Sequence, residues 1–236
     1  MNLLQPQDRR SPAAGDSKEA VAARARLLAA GVGLHTLEVV VDRASALVSG
    51  DGVVVDLGSG SGDALAQWVS RRPLTAVGID LSTAAVEHAA RRFPQITWVV
   101  ANADRRLPIL DHSVSLILSL HARRNAAESV RTLSPHGWLV AAVPGSDDLV
   151  ELREAVQGMR VERGRAELFL EEHAAQFELV ERFVVREHHT LGSDALRDLL
   201  RITYRGARAS TARRVEELTA LDVTLSSEVL LLRTAS

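Results

Sequence analysis

Apolar and polar positions along the chain change period several times, and each change marks an element. From Lys18 to Ala30, Ala, Leu and Val recur at helical spacing among arginines, with Ser17 placed to cap and Gly31 and Gly33 to stop the helix. Leu34 to Val48 repeats the helical pattern, and Ser49-Gly50-Asp51-Gly52 turns the chain. Val53-Val54-Val55 is a short β-branched run of the kind found in strands buried on both faces. After it come helix 63–70, strand 75–80, a helix from Ser82 or Thr83 to Phe93, strand 96–100, strand 113–120, helix 126–133 and strand 138–143. Pro94 and Pro135 fall where a helix has to end or a turn begin. Regular alternation of strand and helix predicts an α/β fold, with a mostly parallel sheet covered by helices on both faces.

Beyond Pro144-Gly145 the pattern loosens. Helices are expected over 149–156, 165–176, 193–200 and 215–220, with long strands over 177–190 and 223–233. Met1 to Ser17 is polar and reads as an extended arm. The chain divides as residues 1–50, an arm with helices, and 51–236, the α/β domain.

The chemistry concentrates where the first strand ends, at Asp56-Leu57-Gly58-Ser59-Gly60-Ser61-Gly62-Asp63. Glycines there let the backbone turn sharply and approach a ligand, and the following helix, capped by Ser61 or Asp63, points its amides into the same crevice. Dinucleotide sites space their glycines G-x-G-x-x-G, whereas this loop runs G-x-G-x-G after an acid. It resembles the nucleotide loop of class I S-adenosylmethionine (SAM) methyltransferases, with a Rossmann-like fold. The resemblance implies that Asp56 and the backbone of Gly58, Ser59 and Gly60 hold the methionine part of SAM. Asp80, ending the second strand beside Leu81, stands where a βαβ unit brings a carboxylate to ribose hydroxyls. Asn102, Ala103 and Asp104, past the third strand, would border adenine; the bland reading of this corner is an Asx turn. Ser119 would floor the site near the methyl group, and His121 stands where the acceptor enters, as a candidate base or as a plain surface histidine.

Composition narrows the partners. A formal charge of −2 gives no global attraction to nucleic acid, and Lys18 is the only lysine beside many arginines. The arginine-rich, acid-free stretch 205–214 offers either a phosphate contact or a solvated loop, and Arg24 and Arg26 read as a solvated face. Without cysteine there is neither a disulfide nor a thiolate zinc site, and His188-His189 lacks a third ligand, so no metal is expected. No apolar run is long enough for a membrane span, so a soluble cytoplasmic protein is expected, with a homodimer left open.

A wider resemblance covers nearly the whole chain. Asn2-Leu3-Leu4, Gly15-Asp16-Ser17 and the run Ala22 to Gly31 are similar to the segment preceding the SAM domain in bacterial large-subunit ribosomal RNA guanine-N1 methyltransferases. The similarity continues through the glycine loop, Asp80-Leu81-Ser82, Phe93-Pro94-Gln95, Leu107-Pro108, and Pro144-Gly145 with Leu149 to Leu152. It implies a SAM-dependent transfer of methyl to a ring nitrogen, with guanine in ribosomal RNA as the target. The acceptor half departs from the family. Its four-cysteine zinc ribbon has no counterpart, since this chain starts just after where that would end. Its Phe-Ala-Pro or Tyr-Ala-Pro is His121-Ala122-Arg123 here, its Met-x-Pro stretch is Ile202 to Ala207, and its His-Tyr pair is Val32-Gly33. A small-molecule acceptor, or SAM binding without catalysis, are the alternatives.

Overall fold

In the computed structural model, residues 1–4, 15–48, 50–71, 75–158, 164–203 and 217–235 are described. The arginine-rich stretch 205–214 lies outside them, as does most of the N-terminal arm. The elements run α1 (Lys18–Ala29), α2 (Leu34–Ser45), β1 (Val53–Leu57), α3 (Asp63–Arg71), β2 (Thr75–Asp80), α4 (Thr83–Arg92) and β3 (Thr97–Val100). Then come β4 (Val114–Leu120), α5 (Ala126–Thr132), β5 (Leu133–Pro144), α6 (Val150–Gln157), α7 (Ala166–His173), β6 (Phe177–Gly192), α8 (Ser193–Thr203) and β7 (Ala220–Thr234).

Seven strands form one sheet in the order β3-β2-β1-β4-β5-β7-β6. β1 to β5 pair in parallel, while β7 lies antiparallel between β5 and β6. The strand order reverses beside β1, and at such a switch point a crevice opens above the carboxyl ends of the strands. Successive residues of a strand serve opposite faces. Thus Val54, Leu116, Leu118 and Val140 join α2 and α3 on one side, while Val55, Ile117, Leu139 and Ala141 pack toward Phe169 on the other. Gly78 in β2 is required by this packing, because a Cβ there would lie 2.2 Å from the Trp98 ring. Trp98 in turn donates its indole N–H to the Phe93 carbonyl at 2.9 Å.

A third apolar cluster sits over the carboxyl edge, joining Leu27 and Val32 to Leu149, Leu196, Leu199 and Val223. It docks α1 on α8, and Arg26 fixes that contact with two hydrogen bonds to buried Asp198, at 2.8 and 2.7 Å. Arg26 keeps the solvated position expected of it, its side chain 56% exposed, and its guanidinium clasps the two helices as well. α2 begins at Gly33 with no side-chain cap of its own. Buried Glu187, reaching across from β6, accepts from the amides of Gly33 (3.1 Å) and Thr36 (2.7 Å), the Thr36 hydroxyl (2.6 Å) and His189 (3.0 Å). The orphan amides of that helix are satisfied by a carboxylate distant in the chain.

Two expectations fail. The helix expected over 215–220 is absent from its described residues 217–220, since Ala220 already belongs to β7, and 215–216 lie outside the described residues. The turn expected at Pro135 is drawn into β5, which starts at Leu133 because Val114 pairs with it across an irregular register. Ser17 and Ser82 cap α1 and α4 as expected, accepting from Ala20 N at 3.2 Å and Ala85 N at 3.1 Å.

Candidate active site

One cavity of about 870 Å³ opens above the switch point. Its first end is built by the glycine turn. Gly58 and Ser59 both donate their amides to the Ile79 carbonyl, at 2.8 and 3.1 Å, which fastens the end of β1 to that of β2. Gly58 has φ +75° and passes so close to the loop after β4 that a Cβ would lie 2.3 Å from that of Ala122. Only glycine meets both demands. Asp80 then organises two turns at once, accepting from Gly60 N at 2.9 Å and Ser82 N at 2.7 Å. Burial raises its pKa, and the amides of Ser82 and Gly60 oppose that rise.

Asp56 stands at the cavity wall with 2% exposure, and its Oδ1 has no hydrogen-bond partner. Burial, followed by the charge of Asp80, pushes its carboxyl up to about 7. A buried carboxylate oxygen without a partner is costly unless a ligand supplies a donor. This corner therefore fits the ammonium group of an amino acid.

Of the residues singled out from sequence, Asp56, Gly58, Ser59, Gly60, Asp80, Leu81, Asn102, Ala103, Asp104 and His121 all line this one cavity. Asn102 does form an Asx turn, its Oδ1 accepting from Asp104 N at 3.0 Å, and still faces the cavity. Ser119 is the correction. It is fully buried, is not part of the wall, and its hydroxyl accepts from Arg124 at 2.8 Å. Along β4 it faces the side where Arg124 returns over the Phe169 ring, 4.1 Å from its centroid. Its role is to hold the loop after β4.

His121 has φ +54°, an uncommon conformation for a side chain of its size. Its amide donates to the Ala142 carbonyl at 2.8 Å, and Nε2 lies 2.9 Å from the hydroxyl of buried Ser227 on β7. The residue lines the cavity among many protein atoms and yet stays open to solvent. Burial, then the charges of Arg24 and Arg124, push its pKa down to about 4, so it is neutral near pH 7.

The second end of the cavity was not readable as a site. Leu27, Leu28, Val32, Leu37, Leu199 and Ile202 face it from α1, α2, α8 and the turn between the first two. Asp148, just past β5, adds a carboxylate whose Oδ1 accepts from Ser226 N at 3.0 Å. Burial raises its pKa to about 6, the Ser226 amide and Arg153 opposing. Arg24 also lines the cavity, contrary to the solvated face expected of it. These residues come from helices and a strand far apart in the chain, so no local motif marks them. His188 and His189 are engaged by Thr224 and Glu187, and no cluster of three metal-ligating side chains occurs among the described residues.

Comparison with known proteins bears on what the cavity holds. Residues 54–137 match the family model described as a methyltransferase domain. The 23S rRNA (guanine(748)-N(1))-methyltransferase of Streptomyces fradiae is 32% identical over 233 residues, covering 96% of this chain and 82% of its own. A Micromonospora griseorubida protein, named provisionally as a 23S rRNA guanine-N1 methyltransferase, is 36% identical over 169 residues, covering 65% of this chain and 57% of its own. Among solved structures, a SAM-dependent methyltransferase from Thiobacillus denitrificans in complex with S-adenosylhomocysteine shares the fold. Its TM-score is 0.51 at 17% identity, over 83% of this chain and 91% of that one. Sheet order, glycine turn and orphaned acid agree with a likeness that runs almost end to end, and the chain belongs to the bacterial 23S rRNA guanine-N1 methyltransferase family of SAM-dependent enzymes.

Proposed function

We propose that this chain methylates N1 of a guanine in 23S ribosomal RNA, with SAM at the glycine-turn end of the cavity and the base at the apolar end. The observation that carries this reading is a single cavity with two chemically different ends, in a chain 32% identical to an enzyme named for that reaction. Asp56 and the Gly58–Gly60 backbone hold the methionine portion, Asp80 the ribose hydroxyls, and Leu81, Asn102, Ala103 and Asp104 the adenine. Asp80 already accepts two amides, but a carboxylate has lone pairs for a further donor. A ribosomal substrate places the enzyme in the cytoplasm, and no described helix is long and apolar enough to cross a membrane.

SAM supplies a methyl group on a positively charged sulfur; the chain aligns the nucleophile, excludes water and removes a proton. Guanine N1 carries hydrogen at neutral pH. As N1 bonds to the methyl carbon and the carbon–sulfur bond breaks, that proton has to leave. A base is most effective with a pKa near the working pH. His121, near 4 and occupied by Ser227, is a weak one, whereas Asp148, near 6, is ionised at pH 7.5 and still able to accept. Asp148→Asn is expected to lower kcat by roughly a hundredfold or more, with S-adenosylhomocysteine affinity within about threefold. Wild-type kcat should rise with pH through about 6 and then level. An unchanged profile in the variant would remove Asp148 from this role. The parent reading is tested by labelled methyl transfer into 23S rRNA, located by a reverse-transcription stop. Label in a metabolite fraction alone favours the second reading, a small apolar acceptor, which the leucine-lined walls support.

The acid of β1 yields a second expectation. An ammonium binds the ionised form of Asp56, so S-adenosylhomocysteine affinity should increase as pH rises to about 7, then stay flat. Titration calorimetry from pH 5.5 to 8 measures this, and Asp56→Asn should abolish the slope. A slope that persists in the variant assigns it to another group.

A further inference from the structure

Arg24 is placed over the glycine turn by contacts at both ends of its surroundings. Ser82, which follows Asp80, donates its hydroxyl to the Asp16 carbonyl at 2.6 Å, pinning the start of α1 to the turn after β2. The Arg26–Asp198 pair holds the next turn of α1 against α8. Between them, the Arg24 side chain lines the cavity, with Cδ and Nε 3.7 and 3.8 Å from where a Cβ on Gly60 would stand. Its side chain is 36% exposed, and its ion pair with Asp16 is 3.6 Å long. That is well beyond the ~2.8 Å of a charge-assisted hydrogen bond. The cation reaches into the site electrically, acting on both His121 and Asp80. The cavity thus has an orphaned acid at the end of β1 and a loosely held guanidinium on α1 across the same glycine turn. An α-amino acid is a zwitterion whose two charges ask for that pair.

We propose that Arg24 binds the carboxylate of the cofactor's methionine tail while Asp56 receives its ammonium, so that α1 takes part in cofactor recognition. This rests on the placement of SAM in the cavity, and the two can fail separately. The neighbouring chemistry decides against an RNA phosphate as the partner: Arg24 stands beside the turn that approaches the cofactor, within the influence of Asp80.

The test compares two ligands on the full chain by titration calorimetry. S-adenosylhomocysteine carries the amino-acid tail; 5′-methylthioadenosine keeps the adenosine and thioether without it. Arg24→Ala should weaken S-adenosylhomocysteine about tenfold or more and leave methylthioadenosine within about twofold, since a bond between charged groups is lost for one ligand only. Arg24→Lys should recover part of the loss, keeping the charge without the planar fork. Methylthioadenosine binding also reports that each variant retains a folded site. Equal weakening of both ligands, or of neither, overturns the inference, as does a variant whose defect appears only in RNA binding. If the wild-type chain binds neither ligand, the SAM placement falls as well.

Discussion

Asp80→Ala is expected to reduce S-adenosylhomocysteine affinity by two orders of magnitude or more. The carboxylate does more than face a ribose. It holds the amide of Gly60 at 2.9 Å and that of Ser82 at 2.7 Å, and so sets the glycine turn and the start of α4 against one another. Hydrogen bonds to a charged group contribute about 1.5–3 kcal/mol each, and a hundredfold loss corresponds to only about 2.7 kcal/mol. Losing both therefore suffices without counting the ligand's own contact. Asp80→Asn, which keeps one acceptor oxygen but turns an N–H toward the other amide, should fall between. Titration calorimetry checks the series, and an alanine variant within threefold of wild type would mean that the turn holds its shape without this acid.

Glu187→Ala should be strongly destabilising. Four donors converge on this buried carboxylate, three of them from the first turn of α2. Stranding them costs roughly 3–5 kcal/mol, which in a chain of this size lowers Tm by about 6–20 °C. The variant should also soften the acid limb of the stability curve. Burial works against ionisation of Glu187 but is outweighed by the Thr36 hydroxyl and amide, His189 and Gly33, leaving its pKa below the ordinary 4.5. A depressed carboxylate stabilises the fold fully above its unfolded pKa and ceases to do so as pH falls through the folded one. Differential scanning calorimetry between pH 3 and 7 follows both effects. A variant melting with wild type throughout would show that α2 is capped in some other way.

Much of the site could be read from the chain because its chemistry is local. A buried strand, an acid and three spaced glycines lie within eleven consecutive residues, and Asp80 ends the very next strand. Positions 102–104 follow a parallel strand and so had to reach the same edge. What escaped depends on docking. Arg24 and Arg26 are two residues apart in an alternation of alanine and arginine that looks like a solvated face. Only the packing of α1 on α8 sends one to Asp198 and the other over Gly60. Ser119 lies near the carboxyl end of a parallel strand, yet the alternation along β4 and the return of Arg124 take its hydroxyl beneath the loop and away from the cavity. Glu187, beside two histidines in an exposed-looking strand, gave no hint that it caps a helix in the first fifth of the chain.

Among the described residues β6 has a single neighbour in the sheet, and that neighbour is β7, which comes after it. β7 also supplies Leu225 and Ser227 to the cavity and the amide of Ser226 that holds Asp148. During synthesis, then, the glycine turn and the strands that flank it, β2 and β4, are made well before the strand that completes the acceptor end. Residues 220–234 have to clear the exit tunnel and slip between two earlier strands before the catalytic half closes.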